Sequence, residues 1–208
     1  MADSKFIIIY DTYCGWCYGA APVFDALIRY GAEVELLHRH LFEGENAPRM
    51  TEGKGEYVLK ADAKIKELTG QTFSKAYNEN IVRSDSEILD STYSAQAAAL
   101  VRELGPEKEL SICKRLEEKG FVEGISAQNR QHVVDTLIAE GVPKEKAELV
   151  GSEVMADKVK AASSKAIELM QRVGSIGVPT ILKVIGDSIE QVDHTEFYNN
   201  PEAARLLI

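Results

Sequence analysis

A continuous apolar run over residues 6–10 is the first pattern in the chain, and it contains three isoleucines. A short run of this kind predicts a β-strand that is buried on both faces. Apolar residues then recur at helical spacing over residues 14–30, and Gly31 is a suitable residue to end that helix. Residues 34–41 alternate less regularly but predict a second strand, which a polar loop follows.

The central part of the chain, residues 56–172, shows almost no strand pattern and is rich in alanine, lysine, glutamate and leucine at helical spacing. Glycine and proline interrupt this pattern at Gly70, Gly105-Pro106, Gly120 to Gly124 and Gly141 to Pro143. The spacing predicts five or six helices, with the strongest patterns in residues 91–104 and 144–172. We expect the charged segments 54–66 and 107–119 to present solvated faces.

Strand patterns return at residues 180–185 and 188–192, after a loop that spans residues 174–179. The intervening Gly186-Asp187 predicts a tight turn and therefore a β-hairpin. Residues 199–208 then predict a short closing helix.

The order of these elements is β-α-β, a helical block, and β-β-α. It predicts an α/β fold in which one mixed sheet is interrupted by an all-helical insertion between the second and third strands. We expect a discontinuous domain formed by residues 1–53 and 173–208, and an inserted helical domain formed by residues 54–172.

Length and composition agree with a folded domain that carries an insertion. The chain has 208 residues, of which 45% are hydrophobic, and this is enough for an ordinary core. Its net charge of −9 argues against nucleic acid and against an anionic membrane as partners. The run at residues 6–10 is too short for a signal peptide, and no segment is long enough to cross a membrane. With Met1-Ala2 at its start, the chain is expected to be cytoplasmic.

Two of the three cysteines stand together in the string Cys14-Gly15-Trp16-Cys17, between the first strand and the first helix. Two cysteines with two residues between them can close a small disulfide ring once the second lies on a helical turn. The unpaired N–H groups and the dipole at the helix N-terminus favour the negative charge of a thiolate on the first cysteine. This placement predicts a redox-active pair.

A structural zinc site is the alternative for this pair. Such a site needs four ligands, usually from a second cysteine pair or from two histidines at short spacing. The chain has no second Cys-x-x-Cys, His38 and His40 lie in a predicted strand, and His132 and His194 are isolated. We therefore predict that the chain binds no metal.

Three further cysteine and histidine residues are expected to have structural roles. Cys113 falls on one helical stripe with Leu110 and Leu116, which predicts a buried core position. His38 and His40 alternate along one side of the second strand, and we expect that side to be exposed, with a cationic site as the alternative.

The strand, the Cys-x-x-Cys string and a helix with Pro22 five residues after the second cysteine resemble the thioredoxin fold. Helices inserted after the second strand make the chain similar to the DsbA family in particular. The string from Asp11 to Gly19 resembles the branch that includes FrnE-type disulfide isomerases and the 2-hydroxychromene-2-carboxylate isomerases. The string from Gly177 to Thr180 resembles the cis-proline loop of the same family.

The resemblance implies a thiol–disulfide oxidoreductase in which Cys14 is the nucleophile and Cys17 resolves the mixed disulfide. Cys17 should be the more buried cysteine and should have the higher pKa. Gly15, which supports the site, stands where this branch commonly has proline. Strongly oxidising members of the family carry a histidine between the cysteines. Because this chain lacks that histidine, we do not expect a strong oxidant.

The remaining predicted site residues lie around the cysteines. Pro179 is the expected cis-proline, and it would hold the backbone of Val178 near Cys14 so that an extended substrate can pair there. An ordinary proline at the start of a strand is the alternative. Trp16 could contact substrate or cover the disulfide. Asp11 could tune the cysteines, although fixing the turn or capping the helix is the commoner use of such a residue.

Three functions remain open at this point. The first is a thiol–disulfide oxidoreductase or disulfide isomerase that acts on protein or small-molecule substrates, with glutathione as a candidate redox partner and no other cofactor. The second is a glutathione-dependent isomerase or transferase on the same fold, although such relatives do not need Cys17. The third is a non-catalytic module in which the helical block binds a partner. A homodimer is compatible with all three.

Overall fold

A four-stranded mixed sheet forms the centre of the molecule, and β1 (Ser4–Tyr10) is an inner strand of it. β1 pairs parallel with the edge strand β2 (Glu33–His38) and antiparallel with β3 (Thr180–Ile185). β3 pairs antiparallel with the second edge strand, β4 (Ser188–Val192). The predicted hairpin is confirmed at both of its strands.

The structure is a computed structural model that describes residues 4–51 and 53–208. The Met1-Ala2 start considered above lies outside these residues. Within the described ranges, no helix combines the length and the apolar character that are needed to cross a membrane.

Eight α-helices are present in the described residues, and all except the first lie between β2 and β3 in the chain. They are α1 (Gly15–Arg29), α2 (Lys54–Thr69), α3 (Lys75–Tyr77), α4 (Thr92–Val101), α5 (Pro106–Glu117), α6 (Arg130–Ala139), α7 (Lys144–Ala147) and α8 (Glu153–Val173). π-helical turns extend α3 to Val82 and α5 to Val122. The closing segment is a 3-10 helix over Pro201–Leu207. The predicted α/β fold with a helical insertion is confirmed, and its division into two domains stays a prediction.

β1 is covered on both faces, as its apolar run predicts. The face that carries Phe6, Ile8 and Tyr10 lies in the core formed with α1. The opposite face, with Ile7 and Ile9, packs in the core formed with α8. Helix α1 packs on the Phe6, Ile8 and Tyr10 face of the sheet and follows β1 closely in the chain. The first turn of α1 therefore lies close to the end of β1.

The second strand is shorter than predicted. β2 ends at His38 and not at residue 41, because the backbone takes a positive φ of 49° at His40. The N–H of Leu41 is then turned towards the Asp11 carboxylate, to which it donates a hydrogen bond of 2.8 Å.

The predicted helical segment 144–172 is divided into α7 and α8. Gly151 has a φ of 92°, a conformation that ends a right-handed helix and suits glycine. Ser152 then caps α8, because its side chain accepts a hydrogen bond from the N–H of Met155.

The expectation that the two charged segments expose solvated faces is wrong for three of their acidic residues. Asp62, Glu109 and Glu117 are all buried. Each lies beside apolar positions of its own helix, so tertiary packing covers it. The buried carboxyl group of Glu109 has a hydrogen-bond partner, because it accepts a 2.9 Å hydrogen bond from the Tyr10 hydroxyl.

The expectation of an exposed histidine face is also wrong. His38 and His40 are both buried. The His38 ring packs edge-on against Tyr10 and is hydrogen-bonded to Thr12. Burial lowers the pKa of His38 to about 4, so it is neutral near pH 7 and does not form a cationic site. Cys113, in contrast, is buried in the core as predicted.

Candidate active site

Cys14 is the residue that precedes α1, and its backbone is extended with a φ of −79° and a ψ of 115°. Its carbonyl oxygen accepts hydrogen bonds from the N–H groups of Cys17 (2.9 Å) and Tyr18 (3.0 Å). The first helical turn therefore closes directly behind Cys14. Residues three apart share one face of a helix, so Cys14 and Cys17 lie on the same side.

The two thiols differ in their surroundings. Cys14 keeps 7% of its surface exposed and Cys17 keeps none. Burial raises the pKa of Cys17 well above its usual value, and the neighbouring Cys14 thiol raises it further. The Cys17 sulfur accepts a 3.5 Å hydrogen bond from the N–H of Asp11. Cys17 is thus the more buried cysteine, and its raised pKa is in the predicted direction.

Cys14 also contacts the loop that leads into β3. Its thiol donates a hydrogen bond of 3.5 Å to the carbonyl oxygen of Val178. The Val178–Pro179 peptide bond is cis, which confirms that prediction. Val178 is half-buried and lies close to Ile176, whose side chain is fully exposed. The backbone beside Cys14 therefore lies near the protein surface.

Trp16 lies beside this loop. Its half-buried ring stacks on Tyr198, with the ring centroids 6.5 Å apart and the planes inclined by 18°. Both residues line a cavity of about 440 Å³ together with Val178 and Pro179. This geometry fits a ring that covers the cysteines and also faces a space open to substrate.

Asp11 holds the turn that precedes Cys14. It is completely buried, and its Oδ1 accepts a hydrogen bond from the N–H of Tyr13 (3.0 Å). Its Oδ2 accepts hydrogen bonds from the N–H of Leu41 (2.8 Å) and the hydroxyl of Ser91 (2.7 Å). The carboxylate fixes the turn and does not cap α1, which has no side-chain cap.

The sequence model of the DSBA-like thioredoxin domain family matches residues 6–196 of the chain. The chain belongs to this family. The family and the fold make it a thiol–disulfide oxidoreductase of the DsbA type, as predicted. A search of curated proteins found no match.

Solved structures of DSBA-like proteins share this fold. The cytosolic disulfide reductase DsbM from Pseudomonas aeruginosa superimposes with a TM-score of 0.86 at 25% identity, over 98% of this chain and 96% of that chain. DsbM with GSH superimposes with a TM-score of 0.83 over the same shares. A 2-hydroxychromene-2-carboxylate isomerase superimposes with a TM-score of 0.62 at 15% identity, over 98% of this chain and 96% of that chain.

Gly15, which stands where the branch that the chain resembles commonly has proline, is in close contact with the helical insertion. A Cβ atom on Gly15 would lie 3.0 Å from Asp62 Oδ1 and 3.1 Å from Ile65 Cδ1. Helix α2 of the insertion therefore packs directly on the dipeptide between the cysteines. A cavity of about 210 Å³ lies at this contact, and it is lined by Cys14, Gly15 and Asp62 among others.

Two residues at the site belong to no sequence motif and were not predicted from the sequence. Tyr198 is buried against Trp16, and its hydroxyl has no hydrogen-bond partner among the residues that the structure describes. Burial and the thiols of Cys17 and Cys14 raise the pKa of Tyr198. Asp62 is the second such residue. The only sequence signal for it is its spacing of three from Ile65, on the inner stripe of α2.

No metal site is evident at the cysteines. Across residues 4–51 and 53–208, no group of three or more histidine, cysteine, aspartate or glutamate side chains could hold a metal ion.

Proposed function

We propose that the chain reduces disulfides by a two-cysteine exchange in which Cys14 is the nucleophile and Cys17 is the resolving thiol. The difference in access between the two thiols carries this proposal. Cys14 lines a cavity and contacts the backbone of Val178, whereas Cys17 is fully enclosed. A resolving thiol has to reach only its partner sulfur, so complete burial is compatible with that role.

The proposed exchange has two steps. The Cys14 thiolate attacks one sulfur of a substrate disulfide, the S–S bond breaks, and the other half of the substrate leaves as a thiol. Cys17 then loses its proton and attacks Cys14, which releases the second thiol and leaves Cys14 and Cys17 joined as a disulfide. The substrate gains two electrons and two protons, and the cysteine pair loses them.

The proposed substrate contacts are the backbone of Val178 beside Pro179 and the ring of Trp16. An extended peptide could pair with the Val178 backbone as an added strand, while Trp16 and the exposed Ile176 offer apolar surface beside it. A protein disulfide or a small disulfide could use these contacts. The proposal assigns the chain to the cytoplasm, on its likeness to a cytosolic reductase.

Glutathione is the proposed reductant of the oxidised pair. The support is the structural likeness to DsbM with GSH, at 25% identity. Lys54, an exposed residue at the cavity beside Cys14, supplies a cation that could pair with a carboxylate of glutathione. The exchange would return two electrons to Cys14 and Cys17 and produce oxidised glutathione.

A redox titration tests the proposal. The protein is equilibrated in glutathione buffers of graded potential and followed by Trp16 fluorescence, with alkylation and mass determination as a second readout. We expect a Cys14–Cys17 disulfide with a reducing potential, closer to that of thioredoxin (about −270 mV) than to that of DsbA (about −120 mV). If no intramolecular disulfide forms at any potential, the two-cysteine exchange is wrong, and a glutathione-dependent isomerase or transferase or a partner-binding module takes its place.

A further inference from the structure

Asp62 is a buried carboxyl group that the two-cysteine exchange leaves without a role. Only 5% of its surface is exposed, and its Oδ2 has no hydrogen-bond partner among the described residues. An unpaired buried polar atom destabilises the folded state, so such atoms are few in native proteins. Burial raises the pKa of Asp62 to about 7, so at neutral pH this carboxyl group is protonated in a large share of the protein molecules.

The position of Asp62 connects it with the nucleophile. It lines the same cavity as Cys14, and its Oδ1 is 3.0 Å from where a Cβ atom of Gly15 would lie. The other walls are mostly apolar, and three exposed residues, Asn46, Lys54 and Tyr57, lie where the cavity reaches the surface. A molecule that reaches Cys14 through this cavity therefore passes beside the carboxyl group.

The size of the cavity limits what it can hold. Its volume is about 210 Å³, whereas sites for drug-sized ligands usually measure roughly 300–1,000 Å³. One half of a small disulfide fits this space, and a folded protein segment does not. When such a disulfide reacts with Cys14, the sulfur that leaves would lie inside the cavity.

We propose that Asp62 transfers a proton to the leaving sulfur of a small dialkyl disulfide that reacts with Cys14 in this cavity. The inference rests on the function proposed above, because it needs Cys14 to act as a nucleophile. In this proposal the unpaired oxygen of Asp62 contacts the substrate, and helix α2 supplies a residue that takes part in the reaction.

The proton transfer belongs to the first step of the exchange. As the bond between Cys14 and the near sulfur forms, the S–S bond breaks and its electron pair moves to the far sulfur. The proton of the Asp62 carboxyl group moves to that sulfur, which leaves as a neutral thiol. Asp62 is left as a carboxylate and recovers its proton from water. Alkyl thiolates are basic leaving groups, so a positioned acid accelerates their departure.

The contribution of Asp62 should depend on pH, and its titratable neighbours come from three parts of the chain. These neighbours are Tyr13 and Cys14 at the start of α1, Lys54 and Tyr57 on α2 itself, and Tyr77 on α3. Burial raises the pKa of Tyr77, and the nearby Asp62 carboxyl group raises it further, so Tyr77 keeps its proton over the working range.

The Asp62→Asn variant with two disulfides tests the proposal. Bis(2-hydroxyethyl) disulfide releases a basic alkyl thiolate, whereas 2,2′-dithiodipyridine releases a stable thione that needs no acid. In single turnovers with the reduced protein, we expect the variant to react at least about tenfold more slowly with the dialkyl reagent near pH 6. The difference should disappear at about pH 9, where Asp62 of the wild type has lost its proton. The reaction with 2,2′-dithiodipyridine should be unchanged at both values.

Glu109→Gln is the matched control, because Glu109 is a buried carboxyl whose pKa burial raises to about 7, but it does not line this cavity. It should leave both reactions unchanged. Equal slowing of both reagents by Asp62→Asn would show that Asp62 only shapes the site, and no slowing would show that it takes no part. Either result overturns the inference while Cys14–Cys17 chemistry persists. If the wild type forms no Cys14–Cys17 disulfide with either reagent, the proposed function itself fails.

Discussion

The hydroxyl of Ser91 donates a 2.7 Å hydrogen bond to Asp11 Oδ2, although 80 residues separate the two in sequence. Ser91 stands at the start of α4 in the helical insertion, and Asp11 stands between β1 and Cys14. The insertion is therefore bonded directly to the turn that presents the nucleophile. Helix α2 makes a second such contact at Gly15. Two inserted helices thus help to shape the first turn of α1.

Replacement of Asp11 should be strongly destabilising. Asp11→Ala removes the acceptor for two backbone N–H groups and one hydroxyl, all of them buried or half-buried. We expect the free energy of unfolding to fall by about 3–5 kcal/mol, because hydrogen bonds to a charged group are strong and their donors would be left unpaired. Urea unfolding followed by circular dichroism measures this loss.

Ser91→Ala is the matched control for Asp11→Ala. It removes only one of the three donors, so we expect a smaller loss of about 1–2 kcal/mol. If Asp11→Ala unfolds no more easily than Ser91→Ala, the turn does not depend on the carboxylate in the way that the contacts indicate.

The roles of the cysteines can be separated by trapping. Cys17→Ala removes the thiol that releases the mixed disulfide, so substrate should stay covalently attached to Cys14. Cys14→Ser should form no such adduct. Cys113→Ser should behave as the wild type, because Cys113 is buried in the core and lies outside both active-site cavities. Non-reducing gels and intact mass after reaction with a disulfide measure the adduct. Continued turnover by Cys17→Ala would support the glutathione-dependent isomerase or transferase instead.

The close approach of α2 to α1 depends on a second glycine. A Cβ atom on Gly19 would lie only 2.7 Å from Ile65 Cγ2. We expect Gly19→Ala to lower the free energy of unfolding by about 1–2 kcal/mol, because the overlap outweighs the gain in helix propensity. In an Ile65→Ala background the same change should be neutral or stabilising. A double-mutant cycle measured by urea unfolding makes this comparison. Equal effects in both backgrounds would contradict it.

The main elements of the fold could be predicted from the sequence because their signals are local. The apolar run of β1, the glycine that ends α1, and Gly186-Asp187 in the hairpin each determine nearby backbone structure. Cys14, Cys17 and the Val178–Pro179 bond could likewise be found, since each belongs to a short recognisable string. Their positions around one site then follow from the fold.

Residues whose roles depend on tertiary packing could not be found in this way. Asp62 and Glu117 lie in segments whose charge pattern is typical of solvated helices, yet neighbouring elements bury them. The alternation of His38 and His40 shows that they share a side but not whether another element covers that side. Tyr198 lies close to the cysteines only because the C-terminal segment packs on α1.

The stability of the protein should decrease between about pH 6.5 and pH 8, because burial raises the pKa values of Asp62 and Glu109 to about 7 and that of Glu117 to about 8. The folded state then holds more protons than the unfolded state above about pH 4.5, so these groups favour folding less as pH rises. His38 acts in the opposite direction, since its pKa is lowered to about 4 and the unfolded state binds the extra proton. Its effect ends near pH 6.5, the usual pKa of histidine, and above that value only the carboxyl groups act.

Thermal unfolding at constant ionic strength should therefore show a falling Tm from about pH 6.5 to pH 8, and Glu109→Gln should make this fall less steep. A Tm that rises over the same range would contradict the burial of these three carboxyl groups as neutral acids.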